Sequence, residues 1–575
     1  MKIILKSPSQ SIFSIPHRLQ YCRTLSHFPK TKEEQKNQKS YKNNYYKEKF
    51  TSKSVLLGAA TTSLFAYYYL VKEKQQRYVY AAKEKENGKS PSLNPCAKPG
   101  LWRSDLPIYT KGEVAEHHTL KKGMWISYHE GVYDITDFVH EHPGRDAVTL
   151  AAGGPAEPFW AMYGFHEESP FILQKLETMR IGNLCKADQL KVSDFDDPYI
   201  DEPKRSEDII PATKKPFAGT LRLDYLPLNF ITPVQWWYVR NHLPVPDLDA
   251  NNHQVILEVG GTQRIFTMDE IQQMPKACVM VTLMCSGNRG YEMLETTGTK
   301  TKIWGPGAVS NAIWTGVKLC DLLEAVGITA ENHGNYKHVQ FVGTDCEITG
   351  VPYSVSIPIW KAVDKKGDVL LAYQMNGEPL TRDHGYPIRM VVPGHTGARS
   401  CKWLTKIILS DKEADGNSQM YDFKSFGPSV RSTTADYEKA PSIQAVPVHS
   451  VICRPKARDS VQVVEGRIDV KGFAYAGGGN KIIRVDISTD QGKTWQPAQL
   501  DFQDNKSDYP HNWSWTLWSC KLPIDKNQHD VEIWCKAIDT SSNTQPEGFE
   551  YIYNFKGVTA NAYHKIKFKL IPCNT

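Results

Sequence analysis

This 575-residue chain has no C-x-x-C pair, and its twelve cysteines are scattered from Cys22 to Cys573, a pattern of neither a zinc site nor a regular disulfide framework. It also has no G-x-G-x-x-G segment able to serve a nicotinamide. A net positive excess is lacking once the N-terminus is passed: residues 1–80 hold 15 Lys/Arg against four acids, so the net charge of +6 conceals a mildly acidic body. Such a body lacks the electrostatic footprint of a nucleic-acid binder and suits a basic partner. What is present is an ordinary globular composition, 40% hydrophobic with 14 Trp and 28 Tyr, which argues against extensive disorder.

At this length a single core is excluded, and two to four domains are expected. Residues 1–32 carry Lys2, Lys6, Arg18, Arg23, Lys30 and Lys32, several Ser and no acid before Glu33, the composition of a mitochondrial transit peptide, which we extend to residue 53. Residues 54–71 carry no charge between Lys53 and Lys72, and 18 residues at ~1.5 Å each just cross a ~30 Å hydrocarbon core. A basic presequence followed by a stop-transfer segment resembles the two-part signal that sorts proteins to the mitochondrial intermembrane space. A permanent inner-membrane tether is the alternative. Either way Tyr67 to Tyr69 suit an interfacial belt.

A spacer (72–105) leads to a compact module at 106–185, dense in aromatics and His. The polar, acidic stretch 186–215, broken by Pro198, Pro203 and Pro211, reads as a flexible linker that lets the first module swing. The region 216–440 mixes helices and strands: a Thr267/Glu270 capping box opens a short helix stopped by Pro275, Val279–Met284 reads as a buried strand, and Val317–Val326 is apolar at helical spacing up to Gly327. From 441 to 575 the period changes to two. Ile483, Val485 and Ile487 alternate with Arg484, Asp486 and Ser488, and Val531, Ile533 and Cys535 alternate with Glu532, Trp534 and Lys536, as in an antiparallel β-sandwich. The whole is a multidomain α+β protein.

In the first module FVHEHPGRDAV sets His142 before Pro143 and Gly144, and YGFHEES sets His166 24 residues further on. Two neutral imidazoles approaching an iron from opposite faces, one fixed by a Pro-Gly turn, are what a bis-histidine haem needs. His140 lacks the turn directly after it and is set aside. WISYHEGVYDITDFVHEHPGRDAV with the following YGFH resembles cytochrome b5 over about eighty residues. That resemblance implies a haem b held by His142 and His166, with Arg145 departing from the family's usual second Gly.

The middle region carries WWYVRNHLPVPDLD, VTLMCSGNRGYEM, LAYQMNGEPLTRDHGYPIRMVVPGHTGARSCKWL and APSIQAVPVHSVI. In this order they resemble the molybdopterin domain of the sulfite oxidase family over some 220 residues, a mixed α/β fold. The last 135 or so resemble that family's immunoglobulin-like dimerisation domain. The resemblance implies a molybdenum–molybdopterin cofactor with Cys285 as the protein thiolate on molybdenum, a soft donor suited to that centre. It places Tyr238, Val239, Arg240, Asn241, His242, Asp345, His384, Arg389, Ser400, Cys401 and Lys402 at the cofactor. There the cations serve its phosphate and Asp345 its amino groups. Arg240, Trp304 and Lys556 match positions at the substrate pocket. The activity implied is oxidation of sulfite to sulfate with an oxygen from water, electrons passing singly through the haem to cytochrome c, in a homodimer joined through the sandwich.

Three residues depart from the family pattern. Gly290 stands for the second Arg of C-x-G-N-R-R, Phe423 in DFKSFGPSV for the pocket Tyr, and Lys556 in NFKGV for Arg. Each trims hydrogen bonding to an oxyanion, a loss of ~1.5–3 kcal/mol per charge-assisted bond. Weaker sulfite binding is expected, with Tyr421, Lys556 or Arg289 as candidates to compensate, and Gly290→Arg should lower KM up to roughly tenfold. Two other readings compete. A nitrate reductase-like molybdoenzyme would carry its haem module after the sandwich and add a nicotinamide domain. A haem electron carrier with a decayed molybdenum domain is hard to reconcile with the presence of Cys285, Arg240, His242, His384 and Arg389.

Overall fold

The computed structural model describes residues 99–571 apart from 140–141, 143–144, 190–196, 298–303, 348–349, 433, 502–510 and 526–527. The transit peptide, the hydrophobic segment 54–71, most of the spacer and His140 lie outside the described residues.

The first module is built on a six-stranded sheet ordered Ile108–Tyr109, Arg180–Leu184, Gly131–Asp134, Gly123–Tyr128, His118–Thr119, with Gly154–Pro155 also pairing to Gly123–Tyr128. Its inner face buries Met124, Ile126, Tyr128 and Tyr133 against Trp160 and Leu176. The short helices Glu157–Met162, Phe165–Glu168 and Pro170–Glu177 close the opposite side. The last starts where it does because the Ser169 hydroxyl accepts from Ile172 N–H and Pro170 has no N–H to satisfy.

The middle module has two five-stranded sheets. One runs Thr262–Thr267, Gln254–Val259, Leu404–Ser410, His338–Cys346, Pro352–Pro358; the other runs Lys276–Met284, Val309–Lys318, Leu370–Met375, Glu378–Pro379, with Arg389–Val391 added to Leu370–Met375. The capping box is formed by both of its hydrogen bonds and opens helix Met268–Gln273. The strand expected at 279–284 extends back to Lys276, paired with Val309–Lys318 from Lys276↔Val317 to Met284↔Val309. Val317 and Lys318 therefore end a strand, paired with Leu371 and Leu370, and the helix begins only at Leu319. Apolar spacing alone cannot separate a buried strand end from a buried helix start, and the sheet partner decides it. Gly327, at φ +81°, ends that turn as expected.

The C-terminal module is a sandwich of His449–Arg454, Arg467–Tyr475, Thr516–Pro523, Gln499–Asp501 on Ser460–Gln462, His564–Ile571, Asp530–Asp539, Ile482–Ser488, Gln496–Pro497. Ile452, Val470 and Trp518 of one sheet share a core with Val485, Ile533 and Phe568 of the other. Val531, Ile533 and Cys535 point inward as expected, but Ile483 is exposed. A register shift between Ile482 and Arg484 turns Ile482 inward in its place, the effect of one extra residue in the ladder.

The second half of the stretch read as a linker is tied down. Arg205 donates to both oxygens of Asp383 at 2.8 Å, Val245 N–H donates to Glu202, and Tyr199 O–H donates to the Met162 carbonyl at 2.6 Å.

A histidine slot and a cationic cavity as the candidate functional site

Two sites emerge, one local and one assembled. In the first module the rings of His142 and His166 face each other, nearly parallel at 7°, with centroids 6.4 Å apart. A metal–imidazole bond is about 2 Å, so two such bonds and the ring radii fill a gap of this size. The Nδ1 of His166 lies 2.9 Å from the Tyr163 carbonyl; a donated Nδ1–H leaves Nε2 as the lone-pair nitrogen, the usual way a ligand imidazole is oriented. Trp160 stacks on His166 at 5.3 Å and Phe138 sets its ring edge-on to His142 at 5.5 Å. Burial holds His142 down at about 3, helped by His166, and His166 at about 4, opposed by its bond to Tyr163. Both rings are neutral at physiological pH, as an iron ligand must be.

The second site is a cavity in the middle module. Cys285 is the first residue past strand Lys276–Met284, and its N–H bonds the Ala308 carbonyl at 3.0 Å while Asn288 Oδ1 accepts from Ala308 N–H, so the turn carrying the thiol is pinned to the neighbouring strand. Burial raises the Cys285 thiol, against the opposing charge of Arg240 and a hydrogen bond from Gly287 N–H. Tyr238, Arg240, His242, Trp304, Asp345, His384, Arg389, Ser400, Cys401, Lys402 and Lys556 line the same cavity. Two residues expected there do not. Val239 is buried in a strand pair with Gly219, and Asn241 is buried behind the wall, donating to Asp383 and accepting from Lys402 Nζ.

The lining is organised by hydrogen bonds. Arg389 donates to the carbonyls of His384 at 3.0 Å and Ser400 at 2.9 Å, which leaves it fixed; burial lowers it to about 10. Lys402 Nζ donates to the carbonyls of Asp383 and Arg240 at 2.9 and 3.2 Å. Burial lowers Lys402 and raises Asp345, pushing both toward their neutral forms. Asp345 Oδ1 is buried without a hydrogen-bond partner among the described residues, an acceptor waiting for a donor from whatever fills the cavity. Burial also holds His384 at about 4 and His242 well below its ordinary range, the latter helped by Arg240 and Lys402. Cys401 is buried and pushed up, so it stays a neutral thiol.

Comparison with known proteins now decides the family. Residues 110–185 match the cytochrome b5-like heme/steroid binding domain, 242–418 the oxidoreductase molybdopterin binding domain, and 440–571 the Mo-co oxidoreductase dimerisation domain. The mitochondrial sulfite oxidase of Drosophila melanogaster is 46% identical over 82% of this chain and 83% of its own length, and that of Homo sapiens 41% over 81% and 85%. The chain belongs to the sulfite oxidase family. Its cofactor domains are those of the family, a molybdopterin domain and a cytochrome b5-like haem domain in that family's order. In fold alone, it is also similar to the sulfane dehydrogenase SoxCD of Paracoccus pantotrophus, with a TM-score of 0.51 at 22% identity over 64% of this chain and 86% of that one.

The three departures from the sulfite oxidase pattern take on physical meaning in the cavity. Phe423 lines it, edge-on to His242 at 6.2 Å, whereas Tyr421 packs on Tyr437 at 5.2 Å away from the lining. Lys556 lines it with its ammonium 5.4 Å over the Tyr437 ring. Arg289, a candidate to compensate for Gly290, is instead fully buried at φ +63°, paired with Glu292 at 2.7 Å and donating to the carbonyls of Ala562 and Tyr563, outside the cavity. Gly290 has no room for a side chain: a Cβ there would lie 2.2 Å from the Gly557 carbonyl oxygen. The expectation that Gly290→Arg improves binding is therefore corrected. The absent side chain is what lets the loop carrying Lys556 approach helix Gly290–Glu295 so closely, and Thr559 N–H seals it to the Ser286 carbonyl at 2.7 Å.

Sequence reading missed Asp383 and Asp422. Asp383, next to His384 in TRDHG, is clamped by Arg205 and holds Asn241, and so fixes Lys402 from behind. Its only signal was its adjacency to His384, because its partner lies 178 residues away. Asp422 lines the cavity beside Phe423 and was passed over as the flank of an aromatic position.

Proposed function

We propose that this protein oxidises sulfite to sulfate, taking the fourth oxygen from water, and passes the electrons one at a time through a b-type haem to cytochrome c in the mitochondrial intermembrane space, as a homodimer joined through its sandwich. The observation that carries this reading is the convergence on one cavity of the buried Cys285 thiol with the charges of Arg240 and Lys556. When bound, the molybdenum pterin supplies an exchangeable oxygen atom and a two-electron sink. Cys285 would hold the metal. Arg389, Lys402 and His384 suit the pterin's phosphate and ring edge, and the partnerless Asp345 oxygen suits its amino group.

Arg240 and Lys556 then hold the sulfite oxygens by charge, and they act in a site whose buried walls keep water from screening them. Trp304 and Phe423, 4% and 7% exposed, supply that dry boundary. In the first module the neutral His142 and His166 would hold a haem iron, each through a ring nitrogen. The mildly acidic body suits a basic electron acceptor, and the basic, acid-poor N-terminus suits import. The test is sulfite-dependent reduction of cytochrome c by full-length protein loaded with both cofactors. Turnover that saturates with sulfite is expected, and no reduction at full molybdenum and haem content overturns the reading.

A further inference from the structure

Oxidation of sulfite has a proton balance. A sulfur–oxygen bond forms, the two O–H bonds of a water are broken, sulfur gives up two electrons, and two protons remain in a buried cavity per sulfate made. The electrons leave through the haem; the protons need an acceptor. Arg240 and Lys556 are cations and accept none at neutral pH. Burial opposes protonation of His242 and His384, with Arg240 and Lys402 adding to it at His242 and Asp383 only partly offsetting it at His384. Three carboxylates line the wall. Asp383 is occupied by both bonds from Arg205, and the partnerless oxygen of Asp345 is the one that suits the pterin's amino group. Asp422 remains. It ends the helical turn Ser418–Asp422, is 7% exposed, and forms no ion pair among the described residues; its one hydrogen bond, from Ser418 Oγ, is long at 3.4 Å. With Phe423 in place of a tyrosine, the residue that follows Asp422 offers no hydroxyl to the cavity.

We propose that Asp422 accepts the water-derived protons one at a time, releasing the first to bulk water before it takes the second, an inference that rests on the sulfite-oxidising reading of the cavity. Its surroundings suit the role. Burial, with the like charge of Glu347, raises the Asp422 carboxyl above the ordinary carboxylate range against the opposing charges of Lys556 and Arg240, which makes it a better proton acceptor than an exposed aspartate. Glu347, itself 8% exposed, is held by Asn417 Nδ2 at 2.8 Å, and the phenols of Tyr353 and Tyr163 also feel the Asp422 charge.

The test uses the full-length, fully loaded enzyme and compares Asp422→Asn with Asp422→Glu. For Asp422→Asn, kcat should fall at least tenfold with KM for sulfite unchanged or lower, since a negative charge beside the anion site is gone. Rapid-quench should still show one sulfate per site formed at the wild-type rate, because proton release follows oxygen transfer. Asp422→Glu should recover most of the turnover. An unchanged kcat with only KM altered would make Asp422 an electrostatic screen, and loss of the first sulfate together with steady-state turnover would make it part of the oxygen-transfer site; either overturns the proposal. If Asp422→Asn fails to fold or load, Glu347→Gln decides. Removing that like charge makes Asp422 a stronger acid, so the acid limb of the kcat–pH profile moves to lower pH, and an unmoved limb overturns the proposal. A wild-type enzyme that makes no sulfate at all is a different result, the failure of the reading beneath it.

Discussion

The histidine slot and the cationic cavity are built from opposite kinds of information. The slot takes two residues 24 apart on a module of about eighty, and its walls come from the same stretch of chain. The cavity gathers residues from Trp237 to Val558, and its back wall depends on Arg205, earlier still. A site made of near neighbours can be replaced residue by residue with local consequences. A site closed by distant segments couples residues that share no signal in sequence, and there a substitution judged by family pattern alone can carry the wrong sign.

The largest expected effect isolates one site from the other. Cys285→Ser should remove nearly all sulfite oxidation, at least about a hundredfold in kcat, because a hard alkoxide cannot replace a thiolate on a soft centre. Its reduced-haem spectrum should be unchanged, and more than a few per cent of activity at full molybdenum content would refute the role. The reciprocal change is nearly as large. His142→Ala or His166→Ala should lose the six-coordinate b-type spectrum and cytochrome c reduction while sulfite still reduces the molybdenum centre. A normal haem spectrum in both variants would mean that the slot holds something else.

A smaller effect probes how far the cavity reaches. Arg205→Ala frees Asp383, which then no longer fixes Asn241 and Lys402, and cofactor occupancy should fall about tenfold, the scale at which supporting residues act. Molybdenum and pterin content after purification measure it, and full occupancy would show that Lys402 is positioned without help. The smallest effect has the most diagnostic sign. Gly290→Arg must displace the Gly557 carbonyl, a strain of about 1–3 kcal/mol, so KM for sulfite should rise severalfold and the melting temperature drop by a few degrees. A lower KM at low ionic strength would instead mean that the loop yields and the family arginine can be restored.

Much was legible beforehand for identifiable reasons. The capping box at Thr267 and Glu270, the Gly327 stop and the inward alternation of Val531, Ile533 and Cys535 are local rules obeyed locally. Reading failed where a partner from elsewhere decided the outcome. Val317 and Lys318 became strand because Leu370 and Leu371 lie beside them, and Ile483 turned outward because the ladder slips at Ile482.

By itself the sequence determined the three modules' character, the two imidazoles, the thiol and the set of cations, since residue type and spacing decide what chemistry a segment can do. Which of those cations face the cavity was decided only by the tertiary structure. It turned Arg289 away to the carbonyls of Ala562 and Tyr563, brought Lys556 in over a residue without a side chain, and left Asp422 on the wall without an ion pair among the described residues. The physical reason is that a buried charge is fixed by the partners that satisfy it, and those partners come from segments that only folding brings within hydrogen-bonding distance.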